Sequence, residues 1–391
     1  MTKPLRILHI DIEGGFGGSS RSLAMYIKGL QEINKERFSS HVLCKSPGPI
    51  QHLYEKINVP CEIFPSMFTR IPLPKYNVRN LLSALPRVID IWRLHKKIGE
   101  IKPDIIHLNY AGLIFNGRLL KLLGYKGKII THSRVIWPEN IFARLFSSYL
   151  EKSTDHLIAI AEPVRQAHLL NGFSSTKMSV IHNPSVSLST PKFSQKQNKA
   201  ICYISYFGTV GNLKGPERLI ELADILEARQ FYFDIKIFGA TPRRRSLTKK
   251  LGTELNAIVQ REKKSKEKYQ FSYQGHVPDP EVQIIASDFV VRPSKTNDPW
   301  GRDVIETMSH GKIIIATGHF DGFIKNQING FLIGEWDAAN VADIITKVWA
   351  DRQYYERVCK NAYDFAKLEF APKNAASKFV SIIHDLESGN Q

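Results

Sequence analysis

A chain of 391 residues with 43% hydrophobic and 23% charged residues is long enough for two or three domains, each burying a core of its own. Its four cysteines lie far apart with no CxxC pair, which speaks against a disulfide framework or a zinc site. No apolar run is long enough to span a bilayer and no hydrophobic signal stretch follows Met1, so a reducing cytoplasm is the expected home. The formal charge of +17 is uneven: residues 1–183 carry 25 Lys and Arg against 13 Asp and Glu, the remainder 29 against 24. A basic excess in the first half suits an anionic membrane surface, an anionic acceptor or a nucleic acid.

In chain order, Arg6 to Ile10 reads as a strand. A glycine loop follows at residues 14–20 (GGFGGSS), then a helix over Arg21 to Leu30 with Leu23, Ile27 and Leu30 on one face. Strands are expected at His41 to Cys44, Cys61 to Phe64, Asp104 to Leu108, Lys128 to Thr131, Asp155 to Ile160 and Met178 to Ile181. Residues 67–79 mix aromatics, prolines and bases and read as a long loop of the kind that holds acceptors. Val78 to Lys97 reads as an amphipathic helix whose apolar face holds Val78, Leu81, Leu82, Leu85, Val88, Ile89 and Trp92, with Arg79, Arg87, Arg93, Lys96 and Lys97 off it. Such a face packs on a core or lies on a membrane.

Residues 183–199, rich in Pro, Ser, Asn and Lys and without period, mark a boundary. The domains expected are 1–183, a linker 184–199, 200–368, and a terminal helix within 369–391. Beyond the linker, strands fall at Ile201 to Phe207, Phe233 to Phe238 and Phe271 to Tyr273. Helices fall at Glu217 to Ala228 and Glu281 to Ala286, with a basic helical stretch from Arg243 to Lys268. Residues 289–317 hold a buried strand, a polar turn, a helix from about Gly301 to Ser309 and a second buried strand at Ile313 to Ile315. FLIG at 331–334 and helices over Ala338 to Ala350, Tyr354 to Leu368 and Pro372 to Leu386 finish the chain. Strands alternating with helices on either side of a linker predict an α/β protein of two Rossmann-like parallel-sheet domains facing across a cleft.

Several stretches bear chemistry. The glycines of residues 14–18 let a backbone approach a ligand and open a helix end to an anion, although Ser20 breaks the dinucleotide fingerprint. Lys214, bracketed by Gly211 and Gly215 just before a helix, can neutralise a phosphate as a point charge. His132 in THSR stands at a strand end, placed to point into the cleft, and His107 is similar; the plain alternative is the commoner one, a structural histidine. Asp298 and Glu306, eight positions apart at a helix start, would repel an anion bound there and so need another purpose, of which hydrogen-bonding sugar hydroxyls is the obvious one; the plain alternative is a capping Asp and a solvated Glu. No histidine or carboxylate cluster has metal-ligand spacing, and Asp11–Glu13 is too short a signal for a metal-bound diphosphate.

The order of these features, more than any one of them, resembles the GT-B glycosyltransferases. More narrowly, it is similar to the large retaining family (family four, glycosyl transferases group 1) that builds bacterial polysaccharides and lipopolysaccharides. The features are the strand and glycine loop, the strand-end histidine, the glycine–lysine turn and the acid-x7-acid helix, together with FSYQGHVPDPEVQIIASDFVVRPS and NGFLIGEWD. The likeness runs through nearly the whole chain, is densest over residues 201–334, and implies a terminal helix crossing back to the first domain.

The resemblance implies the following roles. Gly17 and Gly18 approach the donor diphosphate and acceptor, and His132 contacts the transferred sugar near the reacting centre. Lys214 holds the diphosphate. Asp298 binds donor-sugar hydroxyls, and Gly301 and Arg302 open the helix beside sugar and phosphate. Glu306 holds the ribose, and Gly239, His276 and Val277 seat the nucleoside. Two departures stand out: Thr209 replaces the family's usual Arg, a loss that Arg292 or Arg302 can make good, and Asp298 replaces the usual Glu.

The expected activity is metal- and cofactor-independent transfer of a sugar, with retention, from a nucleotide-diphosphate sugar to a saccharide or lipid-linked acceptor. The enzyme would work at the inner face of the cytoplasmic membrane and bind no nucleic acid. Alternatives are an inverting GT-B enzyme using Asp11 or Glu13 as base, a non-catalytic homologue, and a basic nucleic-acid-binding protein.

Overall fold

The computed structural model describes residues 3–12, 17–67, 85–137, 139, 141–185, 200–241, 252–296 and 298–389. Four expected features fall outside these residues wholly or in part. They are Glu13 with the glycines at 14 and 15, the aromatic and basic loop with the start of the amphipathic helix (68–84), residues 186–199 of the linker, and residues 242–251 of the basic stretch.

The first half places β1 (Leu5–Asp11), α1 (Gly18–Asn34), β2 (Phe38–Cys44), α2 (Ile50–Lys56), β3 (Cys61–Ile63), α3 (Leu85–Ile101), β4 (Ile105–Leu108), α4 (Ile114–Leu122), β5 (Lys128–Ser133), α5 (Ile141–Glu151), β6 (His156–Ala159), α6 (Glu162–Leu170) and β7 (Met178–Val180) in order. The second continues with β8 (Cys202–Phe207), α7 (Arg218–Ala228), β9 (Phe233–Phe238), α8 (Thr253–Glu262), β10 (Tyr269–Gly275), α9 (Glu281–Ala286), β11 (Phe289–Arg292), α10 (Arg302–Ser309), β12 (Ile313–Thr317) and β13 (Phe331–Ile333). Then come α11 (Ala338–Ala350), α12 (Arg352–Glu369) and α13 (Pro372–Ser388).

Two parallel sheets result, ordered β3-β2-β1-β4-β5-β6-β7 and β10-β9-β8-β11-β12-β13. Each strand order reverses beside its first strand, between β1 and β4 and between β8 and β11. Open α/β sheets bind ligands at the carboxyl ends of the strands flanking such a point.

The chain divides into two compact units. Met1–Val186 joins Pro372–Gln391 in one, and Ser187–Ala371 forms the other. In the first unit, Ile7, Ile105, Ile130 and Ile158 cover one sheet face with Tyr26, Leu30 and Phe379. Leu8, Ile10, Ile106, Leu108 and Ile129 cover the opposite face with Leu94 and Ile98. Burial on both faces is why these strands read as largely apolar runs, interrupted by His9, His107 and His132. In the second unit Ile204, Ile235, Phe289, Ile313 and Ile315 share a core with Leu222 and Val341.

Two differences from the sequence expectation concern helices. The amphipathic helix continues to Ile101 and buries Ile91, Leu94 and Ile98, while Ile89 and Trp92 are exposed at 54% and 60%. The period was right and the buried stripe lies further round the helix. Helices α2, α4, α5 and α6 fall where the alternation of strands and helices requires a connection, but their bounds are not legible from the sequence, since they lie next to denser strand signals. No described helix is long and apolar enough to cross a membrane.

Candidate active site

In the second unit, the carboxyl ends of β8 and β11 bring an alternating set of charges together. Arg292 ends β11 and is buried. Its Nη1 donates to Asp303 Oδ1 at 2.6 Å and Oδ2 at 2.5 Å, and its Nη2 lies 2.9 Å from Asp298 Oδ2. Lys214 reaches the same Asp298 oxygen. The other oxygen of Asp298 accepts from Ser294 Oγ at 2.7 Å and Thr296 Oγ1 at 2.9 Å.

Local backbone explains how these groups meet. Gly215 has φ +64°, and a Cβ there would stand 2.2 Å from the Pro293 carbonyl oxygen, so the turn carrying Lys214 has room for glycine alone. Lys295 N donates to Leu213 O at 3.0 Å, tying the loop after β11 to that turn. Gly301 caps α10, and a Cβ on it would lie 2.6 Å from Arg292 Nη1. The Arg292–Asp303 pair therefore needs that glycine. Burial raises the Asp298 carboxyl, but Arg292 first and Lys214 second outweigh it and hold it below the usual aspartate range.

Along α10, Glu306 is buried and accepts from Arg302 Nε at 3.0 Å and Nη2 at 2.6 Å. Gly239 follows β9 so closely against the Gly208 carbonyl that a Cβ would stand 1.6 Å from its oxygen, and Tyr273 Oη donates to Gly239 O at 2.8 Å. Phe207 and Phe238 stack beside it, 5.1 Å apart and 6° from parallel. His276, exposed, and Val277 follow β10. Thr209 is exposed. Of the two bases considered as substitutes for its missing Arg, Arg292 converges with Lys214, whereas Arg302 is turned to Glu306.

The first unit holds a different polar group. Three strands carry Ile-x-His followed two residues later by a polar side chain: Ile7, His9 and Asp11; Ile105, His107 and Asn109; Ile130, His132 and Arg134. The isoleucines share one cluster beneath α1 and α13. The histidines form a ladder: His9 Nε2 to Ser40 Oγ at 3.2 Å, His9 Nδ1 to His107 Nδ1 at 2.9 Å, His107 Nε2 to His132 Nδ1 at 2.6 Å. Above it Asn109 Nδ2 donates to Asp11 Oδ1 at 3.1 Å, and Arg134 Nη2 donates to Asn109 Oδ1 at 2.5 Å. Burial pushes His9 down to about 3 and His107 and His132 well below the ordinary histidine value, so all three are neutral.

This corrects the expectation for His132. Its side chain has no exposed surface and packs edge-on to Tyr26 at 5.1 Å. The even spacing from Ile130 turns it to the helix-covered face. The ladder, with Asn109 and Arg134, was missed; the recurring Ile-x-His was its signal, readable only once β1, β4 and β5 are known to be neighbours. Gly17 caps α1 and Gly18, exposed, opens it. Among the described residues no His, Cys, Asp and Glu side chains form a group that could hold a metal ion.

Comparison with known proteins bears on this arrangement. The family described as Glycosyltransferase Family 4 matches residues 16–184, and that described as Glycosyl transferases group 1 matches residues 190–365. No curated protein sequence matches the chain. Among solved structures, Anabaena HepE in complex with UDP-glucose is similar at 17% identity, with 97% of this chain and 100% of that one covered and a TM-score of 0.74. Sucrose-phosphate synthase from Thermosynechococcus elongatus is similar at 17% identity, covering 98% and 100% with a TM-score of 0.72. The lipopolysaccharide outer core galactosyltransferase WaaB is similar at 16% identity, covering 95% and 99% with a TM-score of 0.63. With Family 4 matched over the first half, group 1 over the second, and the two-sheet fold of such enzymes throughout, the chain belongs to the GT-B glycosyltransferases.

Proposed function

We propose that the chain moves a sugar from a nucleoside diphosphate sugar to a hydroxyl of a saccharide or lipid-linked acceptor, with retained anomeric configuration, in the synthesis of a cell-surface polysaccharide. The convergence of Lys214 and Arg292 on Asp298, beside the start of α10 and one helical stretch before Glu306, carries this reading. Two cations and a helix N-terminus neutralise charge that grows on a departing diphosphate. Asp298 takes sugar hydroxyls and Glu306 the ribose, with the nucleoside near Gly239, His276 and Val277.

In the transfer, the bond from the anomeric carbon to the diphosphate breaks and the acceptor oxygen bonds to the same face. The departing diphosphate takes the acceptor's proton, so no side chain is assigned as general base. His132, enclosed beneath α1 and α13, is given no contact with sugar.

HepE was solved with UDP-glucose, which makes UDP sugars the first donors to try. WaaB is a lipopolysaccharide galactosyltransferase, in keeping with a cell-surface product. A peripheral place on an anionic membrane draws support from the basic first half and from Ile89 and Trp92, exposed on α3 near Arg93 and Lys96.

The test is a thermal-shift screen of UDP, GDP, ADP and CMP sugars, followed by turnover of Glu306→Ala and Lys214→Ala with whichever donor raises the melting temperature. Each variant is expected to lose about 100-fold or more in kcat/KM, in line with loss of a charge-stabilising group. Unchanged binding and turnover in both variants would sink the reading. The anomeric form of the product separates retention from inversion.

A further inference from the structure

Asp298 has no acceptor position to spare. A carboxylate offers about four such positions on its two oxygens. Ser294 and Thr296 occupy Oδ1; Lys214 and Arg292 occupy Oδ2. A sugar hydroxyl can bind there only if a present partner leaves. The four charged groups are graded in exposure, with side chains at 10% for Asp303, 7% for Arg292, 23% for Asp298 and 32% for Lys214. Arg292 is gripped from behind by both oxygens of Asp303, and leaving would strand a buried charge. Lys214, outermost and on a flexible stem, is the partner free to go.

We propose that the Lys214–Asp298 ion pair is a latch that favours the intact sugar donor over the spent nucleoside diphosphate. The inference rests on the reading that this unit binds the donor. The diphosphate draws Lys214 away, and a hydroxyl of the attached sugar fills the vacated place on Asp298 Oδ2. The two halves of one donor thus satisfy the two halves of one broken pair. A nucleoside diphosphate without sugar breaks the same pair and leaves Asp298 short of a partner in a half-buried setting, where an unmet acceptor is costly. Arg292 stays throughout and keeps the carboxylate ionised, so Asp298 remains a strong acceptor for the incoming hydroxyl.

The consequence runs against ordinary loss-of-function logic: removing the charge of Asp298 strengthens binding of the diphosphate alone. Isothermal titration of UDP and UDP-glucose is made on the wild type, Asp298→Asn, Lys214→Met and the double variant. GDP or ADP and the matching sugar replace them if the screen selects another base. UDP is expected to bind Asp298→Asn about 2- to 5-fold more tightly than wild type, the upper part of the range for a partly exposed ion pair released. The preference for UDP-glucose over UDP is expected to shrink in the same variant. In the Lys214→Met background Asp298→Asn is expected to change UDP affinity by less than about 2-fold, because the released partner is absent.

Equal tightening with and without Lys214 would mean simple repulsion of phosphate by an acid and would overturn the latch, as would no tightening at all. Should Asp298→Asn not fold, Asp298→Ser repeats the cycle. If no nucleotide binds the wild type, or if Lys214→Met leaves binding intact, the donor reading itself fails. That result is distinct from one in which UDP binds through Lys214 but is indifferent to Asp298.

Discussion

The two sheets end in polar groups of opposite character. Under α1 and α13, His9, His107 and His132 are uncharged and joined ring to ring, and Asn109 stands between Asp11 and Arg134. At the ends of β8 and β11, unlike charges touch directly, with Arg292 buried between Asp303 and Asp298 and Lys214 partly open at the outer end. A neutral, enclosed ladder has no charge to exchange with a ligand: its rings bond one another, and its far end, His132 Nε2, is buried without a hydrogen-bond partner. A chain of ion pairs open at one end can trade an internal partner for a charged ligand at little net cost. On the proposed function, recognition of the donor's anion falls to the open chain of ion pairs in the second unit.

Acid should separate the two most strongly. An unfolded histidine takes up a proton near pH 6.5, whereas burial keeps His9 neutral down to about 3 and His156 and His168 down to about 4, with His107 and His132 also well depressed. Below pH 6.5 the unfolded chain therefore binds more protons, and stability falls as the pH falls, by on the order of 1 kcal/mol per pH unit for each such group. Ten of the 13 histidines belong to the first unit. Asp298 has the same sense in a lower window: its depressed carboxyl contributes stability that is lost only as pH falls from the ordinary aspartate value, about 4, toward its lower folded value. Between pH 6.5 and 4, amide exchange in β1, β4 and β5 is expected to accelerate more than in β8, β11 and β12, whose unit has His310 alone among its described histidines held below the ordinary value. Simultaneous loss in both units would break the comparison.

Two substitutions probe the groups at neutral pH. Asp303→Asn removes the inner partner of a buried Arg292 and is expected to destabilise the second unit by about 3–5 kcal/mol, the usual cost of breaking such a pair. His107→Leu keeps volume but leaves a ring nitrogen of His9 and one of His132 unpaired, for about 2–4 kcal/mol in the first unit. Denaturant unfolding followed by exchange in each unit's own strands measures both. A larger effect for His107→Leu would show that the ladder, not the charge cluster, is the tighter construction.

Much of this was legible before the fold was known. The strand Ile313–Thr317 is buried on both faces, Phe233–Phe238 alternates apolar residues with Asp234 and Lys236, and both are bounded by glycine or polar turns, so pattern and run length located them within a residue or two. Asp298, Glu306 and Lys214 stood out by spacing. Asp303 did not, because an acid in a helix's first turn is ordinary, and only the path of β11 brings Arg292 to it. The histidine ladder stayed hidden for a related reason: its members lie 98 and 25 positions apart, and strand order, which the sequence does not state, makes them neighbours. Outward placement of His132 was a motif inference that ignored side-chain parity along β5.

The smallest expected effect concerns how the first unit is closed. It is assembled from two separate stretches of chain, with α13 returning to lie on α1. At their crossing Gly29 is so near α13 that an added Cβ would meet the Pro372 carbonyl oxygen at 2.3 Å and Ala376 Cβ at 2.9 Å. Neither obstacle is the tip of a flexible side chain, so Gly29→Ala must push the helices apart, at about 1–3 kcal/mol for overpacking. Phe379 of α13 sits against Tyr26 at 6.1 Å and His107 at 5.2 Å, and so roofs the ladder. Lifting it should admit water to the histidines and bring their folded proton affinity nearer to the unfolded one. Gly29→Ala should therefore lower the melting temperature by a few degrees at neutral pH and flatten its fall between pH 6.5 and 4. A lowered melting temperature with an unchanged acid slope would place the source of the acid sensitivity elsewhere than beneath α13.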